Sequence, residues 1–256
     1  MIGRRALLQG MFATMASPPA RGPSIMLPTI VMTFDTDVTT YTNALFDMEA
    51  KGIPGTFFAD ADRINTAGWP SKDNLLIMAM KGWEVGARVY GTISGAEANM
   101  VALLTNNRGT AFDRLKAAKD LMYAQGFDIK SIAAAQRAWS VPLRGMAAQL
   151  FDNVRVADTV NYGTLPIADR LYVRDGGSNS WSSADTVASL SAWLDGLIAA
   201  GPNAIGIPVI HRIDTAGDPN YTISPTVFQG FTSYLQSKIA AGVVRAVTFD
   251  TAMTPV

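Results

Sequence analysis

Thr29-Ile30-Val31-Met32-Thr33-Phe34-Asp35-Thr36-Asp37 is an apolar, β-branched run that ends abruptly on two carboxylates. Apolar side chains stand on both parities of the run, as they do when both faces of a strand are covered, and parallel sheets cover both faces. Working outward, the same kind of run recurs at Gly55–Ala59, Glu84–Val89, Ser131–Ala135, Val154–Ala157, Leu171–Val173, Ala204–Ile210 and Arg245–Phe249. Helical patterns separate most of these runs, which predicts a parallel sheet with crossover helices. Eight candidates suggest a distorted or incomplete parallel (β/α) barrel of seven to eight strands, occupying residues 28–256. Parallel barrels carry their reactive groups at the C-terminal ends of the strands. That rule selects Asp35, Asp37, Arg88, Tyr90 and His211, each at or just beyond an apolar run.

The helices have their own start and stop signals. Ser224-Pro225 offers a capping hydroxyl before a proline at the first helical position, with Phe228, Phe231, Leu235 and Ile239 on one face and Gly242 beyond the end. Ser183 is the expected cap of a helix carrying Val187, Leu190, Trp193, Leu194 and Leu197, stopped by Gly201-Pro202. A third helix is expected over Thr110–Ala124, with Phe112, Leu115, Ala118 and Met122 inward.

Composition narrows the chemistry. The 256 residues hold 21 Lys plus Arg against 21 Asp plus Glu, so no net field attracts nucleic acid or an anionic membrane. Without cysteine there is no disulfide, thiolate nucleophile or cysteine zinc site, and His211 is the one imidazole. No apolar run reaches the roughly 18 residues that span a bilayer, since Leu190–Ile210 is interrupted by Asp195, Gly201, Pro202 and Asn203. Residues 1–27 form a separate segment: Gly3-Arg4-Arg5 before a short apolar stretch reads either as a twin-arginine export signal or as an arm that makes an assembly contact. The protein is therefore expected to be exported, periplasmic or extracellular, or to belong to a surface or viral assembly.

Several motifs share the order of one known family. Thr33-Phe34-Asp35-Thr36-Asp37, a helix, then Pro54-Gly55-Thr56-Phe57-Phe58 resembles the Thr-Phe-Asp-Asp-Gly and Ala-Thr-Phe-Phe strands that open the polysaccharide and chitin deacetylases, carbohydrate esterase family four. Gly82-Trp83-Glu84-Val85-Gly86-Ala87-Arg88 is similar to that family's Gly-His-Glu-Ile-Gly-Asn-His segment. Pro208-Val209-Ile210-His211 resembles its Leu-Leu-His strand, and Phe228 to Asp250 its closing helix and strand. The resemblance covers residues 28 to 252.

It implies Asp35 as base and His211 as general acid. It also places Thr36, Arg88 and Thr92 where the family has an Asp and two His that hold a divalent metal. None of those ligand types is kept, so the expectation is a divergent member with no metal and no other cofactor. The family's Arg/Pro/Gly motif falls within Ala133–Gly145, which carries over Arg137 at altered spacing.

A metal lowers the pKa of its water from about 15.7 to about 7, which a free carboxylate cannot do. Arg88 offers a fixed positive charge near that position, able to stabilise an oxyanion but unable to ionise water. One reading is metal-independent hydrolysis of a C–N or ester bond in a carbohydrate or small amide or ester, with Asp35, His211 and Arg88 catalytic. Asp37, Tyr90, Arg137, Trp139 and Trp181 are then expected to bind substrate. The alternative is a non-catalytic glycan-binding or structural module, with Arg88 paired to Asp35 or Asp37. Asp60 and Asp62 are expected on a solvated turn, and Asp175 to Asn179 is a turn without phosphate-cradle spacing.

Overall fold

The computed structural model describes residues 26–35, 37–89, 108–134, 139–158, 161–176 and 180–254. The opening run is realised as two short strands, β1 (Thr29–Ile30) and β2 (Met32–Asp35), and the next strand is β3 (Gly55–Asp60). They are followed by β4 (Glu84–Val89), β5 (Ser131–Ala134), β6 (Asn153–Asp158), β7 (Gly163–Thr164) and β8 (Val173–Gly176). The expected Ala204–Ile210 strand is also divided, into β9 (Ala204–Gly206) and β10 (Val209–Ile210). Pro208 lies at that break because it has no N–H to give a neighbouring strand. Its carbonyl still serves, accepting the Thr33 N–H at 3.2 Å and the Thr33 hydroxyl at 2.6 Å.

Seven strands form one parallel sheet in the order β10-β2-β3-β4-β5-β6-β8. After β8 the chain returns, and Ser180 makes a parallel bridge to Val209 of β10, the opposite edge of that row. The sheet is thus curled upon itself as a distorted barrel. The short strands β11 (Arg212–Ile213) and β12 (Thr222–Ile223) pair beside it, and β13 (Arg245–Ala246) pairs with β1, which pairs in turn with β9.

Two apolar groups fill the fold. Met32, Phe34, Phe57, Ile132, Val154 and Ile210 face outward under the helices, whereas Phe58, Ala133, Val173, Ile205 and Phe249 fill the barrel interior. Gly86 is needed for that interior: a Cβ there would stand 2.8 Å from the Phe58 ring and from the Ser131 carbonyl.

Three expectations about element ends are corrected. The helix Val187–Ala199 is capped by Thr186, whose hydroxyl accepts the Ser189 N–H at 3.1 Å while Ser189 accepts from Thr186 in return. Ser183 instead gives its N–H to Pro219. The last strand stops at Ala246, because Thr248 caps a short helix, Phe249–Met253, through the Thr251 N–H. The strand expected over Leu171–Val173 begins at Val173 and runs to Gly176. The helices Pro225–Ala240 and Arg108–Ala124 form where their caps and periodicity place them, the first burying Phe228, Phe231 and Leu235, the second Leu115 and Met122. Among the described residues no helix is long and apolar enough to cross a membrane.

Candidate active site

Strand side chains alternate between faces, so the register fixes which residues meet inside the barrel. Thr33 of β2 lies opposite Thr56 of β3 and Asp35 opposite Phe58. Thr56, Phe58 and Asp60 lie opposite Glu84, Gly86 and Arg88 of β4. Arg88 lies opposite Ala133, and Ala133 opposite Arg155 of β6. Asp35, Asp60, Arg88 and Arg155 therefore share the interior face, towards the C-terminal ends of their strands. His211 follows β10, whose Ile210 pairs with Phe34.

Asp35 is 3% exposed, and its Oδ2 accepts a hydrogen bond from the Arg155 guanidinium at 2.7 Å. The same guanidinium donates to the Thr33 hydroxyl at 2.8 Å and lies over the Phe58 ring, 4.7 Å from its centre. The Nδ1 of His211 is 3.9 Å from Asp35 Oδ2, beyond a hydrogen bond but within strong electrostatic reach. The His211 ring also meets Tyr221 edge-on at 5.2 Å. Among the described residues Asp35 Oδ1 has no hydrogen-bond partner.

These contacts set the charges. Burial pushes the Asp35 carboxyl up, but Arg155, Arg88 and His211 together outweigh it and hold Asp35 below its ordinary value. Burial pushes the His211 imidazole down, Asp35 opposes this, and Arg88 and Arg155 add to it, so the net direction is downward. At neutral pH the pair is a carboxylate beside a neutral imidazole.

The five side chains expected to bind substrate have different fates. Asp37 is on the rim, 3.7 Å from Arg212, and accepts the Thr39 N–H at 2.8 Å. Trp181 is a core residue, 2% exposed and 4.8 Å from Phe231 in an edge-to-face contact, so it offers no platform to a sugar. Trp139 is partly buried and packs on the helix-side core. Tyr90 and Arg137 lie outside the described residues, as do Thr36, Thr92 and residues 1–25.

Two groups that the sequence reading passed over complete the site. Arg155 makes a direct ion pair with Asp35, on which Arg88 acts through its charge; the signal of Arg155 was a lone guanidinium inside an apolar strand that has no solvent face. Asp60 is 2% exposed, contrary to a solvated turn, whereas Asp62 beside it is exposed. Burial, opposed by Arg88 and reinforced by Asp35, pushes the Asp60 carboxyl up to about 7, with smaller effects from Arg63 and Asp62. The strand-end rule that selected Asp35 also applies to Asp60, the last residue of β3.

The residues present do not suit the divalent metal that the resemblance implies. A guanidinium occupies Asp35, Arg88 stands at a ligand position, and the described residues hold no group of three His, Asp or Glu able to bind an ion.

No known family profile and no curated protein matches the chain. Solved structures do. The peptidoglycan deacetylase PdaC from Bacillus subtilis superposes with a TM-score of 0.52 at 16% identity, over 88% of this chain and 90% of that one. The Xyl-CE4 domain of a multidomain xylanase from the Trinervitermes trinervoides hindgut metagenome gives 0.53 at 14% identity, over 88% of each chain. A family 4 carbohydrate esterase from Streptomyces lividans, solved with acetate, gives 0.53 at 9% identity, over 85% of this chain and 91% of that one. The fold is that of the polysaccharide deacetylases.

Proposed function

We propose that this protein is a carbohydrate-directed hydrolase of the deacetylase type that removes an acyl group without a bound metal, through Asp35, His211 and Arg88. The observation that carries the reading is the row of groups across the strand ends, with the His211 imidazole 3.9 Å from an Asp35 carboxylate that Arg155 keeps ionised. Asp35 and His211, expected as base and acid, take other roles in this reading, because the charges around them favour an ionised Asp35 and a neutral His211. The neutral imidazole accepts a proton from water through Nε2, the nitrogen away from Asp35. The carboxylate, 3.9 Å away, stabilises the imidazolium that results by its charge. Arg88, whose charge acts on both Asp35 and His211, supports the oxyanion of the tetrahedral intermediate. The structural neighbours, which include a peptidoglycan deacetylase and the CE4 domain of a multidomain xylanase, support a carbohydrate substrate, and such substrates are met outside the cytoplasm.

The test is acetate release from acetylated chitooligosaccharides and acetylated xylan, with cyclic amides in parallel, using protein treated with chelator. Chelator-resistant release that is lost in Asp35→Asn and His211→Ala supports the reading. A requirement for added zinc, nickel or cobalt removes its metal-independent part. A second reading rests on the 3% exposure of Asp35: a carboxylate so enclosed suits a glycan-recognising module in which the ion pair fills the old site. Oligosaccharide binding without hydrolysis across this substrate set identifies that case.

A further inference from the structure

The hydrolase reading leaves one group with two tasks. With His211 neutral and Asp35 ionised, the proton this pair can give an alkoxide or amine leaving group is the one His211 has just taken from water, so one imidazole must reach both the water and the leaving group. The site contains one more acid. Asp60 ends β3 on the same interior face as Asp35, two residues beyond Phe58, the register partner of Asp35, and directly opposite Arg88. It is 2% exposed, and among the described residues neither of its oxygens has a hydrogen-bond partner. A buried, unpartnered carboxyl is stable in its protonated form, and a protonated carboxyl is a donor.

We propose, building on the hydrolase reading, that Asp60 is the proton donor to the leaving group, so that Asp35 is flanked by a proton acceptor, His211, and a proton donor, Asp60. The strand order β10-β2-β3-β4 sets His211, Asp35, Asp60 and Arg88 on successive strands, with Asp60 and Arg88 two residues further along their strands than Asp35. Water bonds to the acyl carbon as His211 takes its proton. The tetrahedral intermediate then expels the sugar oxygen or nitrogen, which takes the proton of Asp60. The acyl group departs as the carboxylic acid, and the proton on His211 returns to Asp60, which restores both groups. Asp60 rests at about 7, where a donor is matched to neutral pH. The charges that bear on it are Arg88 from β4, Asp35 from β2, and Arg63 and Asp62 from the turn after β3. Arg88 would hold Asp60 after the proton has left.

Leaving-group dependence tests this. An acetylated sugar needs a proton donor, whereas 4-nitrophenyl acetate releases an aryl oxide stable enough to depart without one. Asp60→Asn keeps the volume and removes the acid, and Asp60→Ser provides a second variant. The expected result is a fall in kcat of about 10²-fold or more on acetylated oligosaccharide with KM little changed. Activity on the aryl acetate should stay within about threefold of the parent, which also reports an intact site. The alkaline fall of kcat near neutral pH on the sugar substrate should disappear in Asp60→Asn. Equal losses on both substrates, or no loss on either, overturn the donor role and leave the hydrolase reading intact. A parent inactive on both substrates overturns the two together.

Discussion

The two ends of the barrel interior hold similar residue types under similar burial, yet they use them differently. At the bottom, Glu84 Oε2 accepts from the Thr56 hydroxyl at 3.1 Å and from the Asp250 N–H at 2.7 Å. Asn153 donates to Asp250 at 2.9 Å and to Ser131 at 3.2 Å. The start of the helix Phe249–Met253 is thereby fastened across the strand beginnings, with the Phe249 N–H on the Thr56 hydroxyl at 2.8 Å. At the top, among the described residues, Asp35 has one oxygen bonded to Arg155 and one without a partner, Asp60 has both without partners, and His211 stands 3.9 Å from the Asp35 carboxylate. Most polar groups at the bottom are bonded to one another and serve as a plug, with only Glu84 Oε1 and Asn153 Oδ1 of those named left over among the described residues. At the top the charges are balanced at a distance while hydrogen-bonding capacity is left over, which is the condition in which a ligand can complete the set.

The largest test of that contrast is activity. His211→Ala, which removes a partly exposed ring and should cost under about 1 kcal/mol of stability, is expected to lower hydrolysis about 10²- to 10⁴-fold. Acetate release measured alongside thermal unfolding checks both halves; an unchanged rate would make the top as structural as the bottom.

Next is the ion pair. Arg155→Met leaves the Asp35 charge buried without its direct partner and should cost about 3–5 kcal/mol at pH 7 by denaturant unfolding. The folded value of Asp35 is depressed in the parent, so its contribution is present above the unfolded value near 3.8 and is lost as pH falls through the lower folded value. The gap between parent and variant should therefore narrow in acid. A gap that is constant with pH would attribute the loss to packing on Phe58 instead.

Asp60 has the opposite sign. Its folded value of about 7 lies above the unfolded 3.8, so its contribution is fully present below about pH 4 and declines as pH rises to about 7. Asp60→Asn should gain on the parent between pH 4 and pH 8, by up to about 4 kcal/mol. A flat difference across that window would mean that Asp60 is ionised throughout.

The smallest effect belongs to the bottom. Glu84→Gln keeps an acceptor oxygen for Thr56 and the Asp250 N–H, so about 1 kcal/mol of stability should be lost and hydrolysis should change less than twofold. A large loss of activity there would abolish the distinction between the two ends.

Much of this was legible in the chain itself. Apolar runs on both parities, alternating with helical periodicity, specified a parallel barrel, because a strand covered on both faces requires helices outside and a filled interior. The strand-end rule brought Asp35, Arg88 and His211 to one site for the same reason: parallel strands finish on one side. Local sequence could not show where the runs divide, since β1 and β2 are separated only by which neighbours Val31 and Thr33 reach, Gly206 and Pro208. Nor could it show that Thr186 would outcompete Ser183 as a cap, or that Trp181 would turn into the core. Arg155 and Asp60 gained their roles only on folding. The curl of the sheet carries the Arg155 guanidinium from β6 across to β2, and burial at the end of β3 turns an ordinary aspartate into an acid near neutrality. Desolvation and long-range charge are properties of the assembled interior, and no neighbour in sequence encodes them.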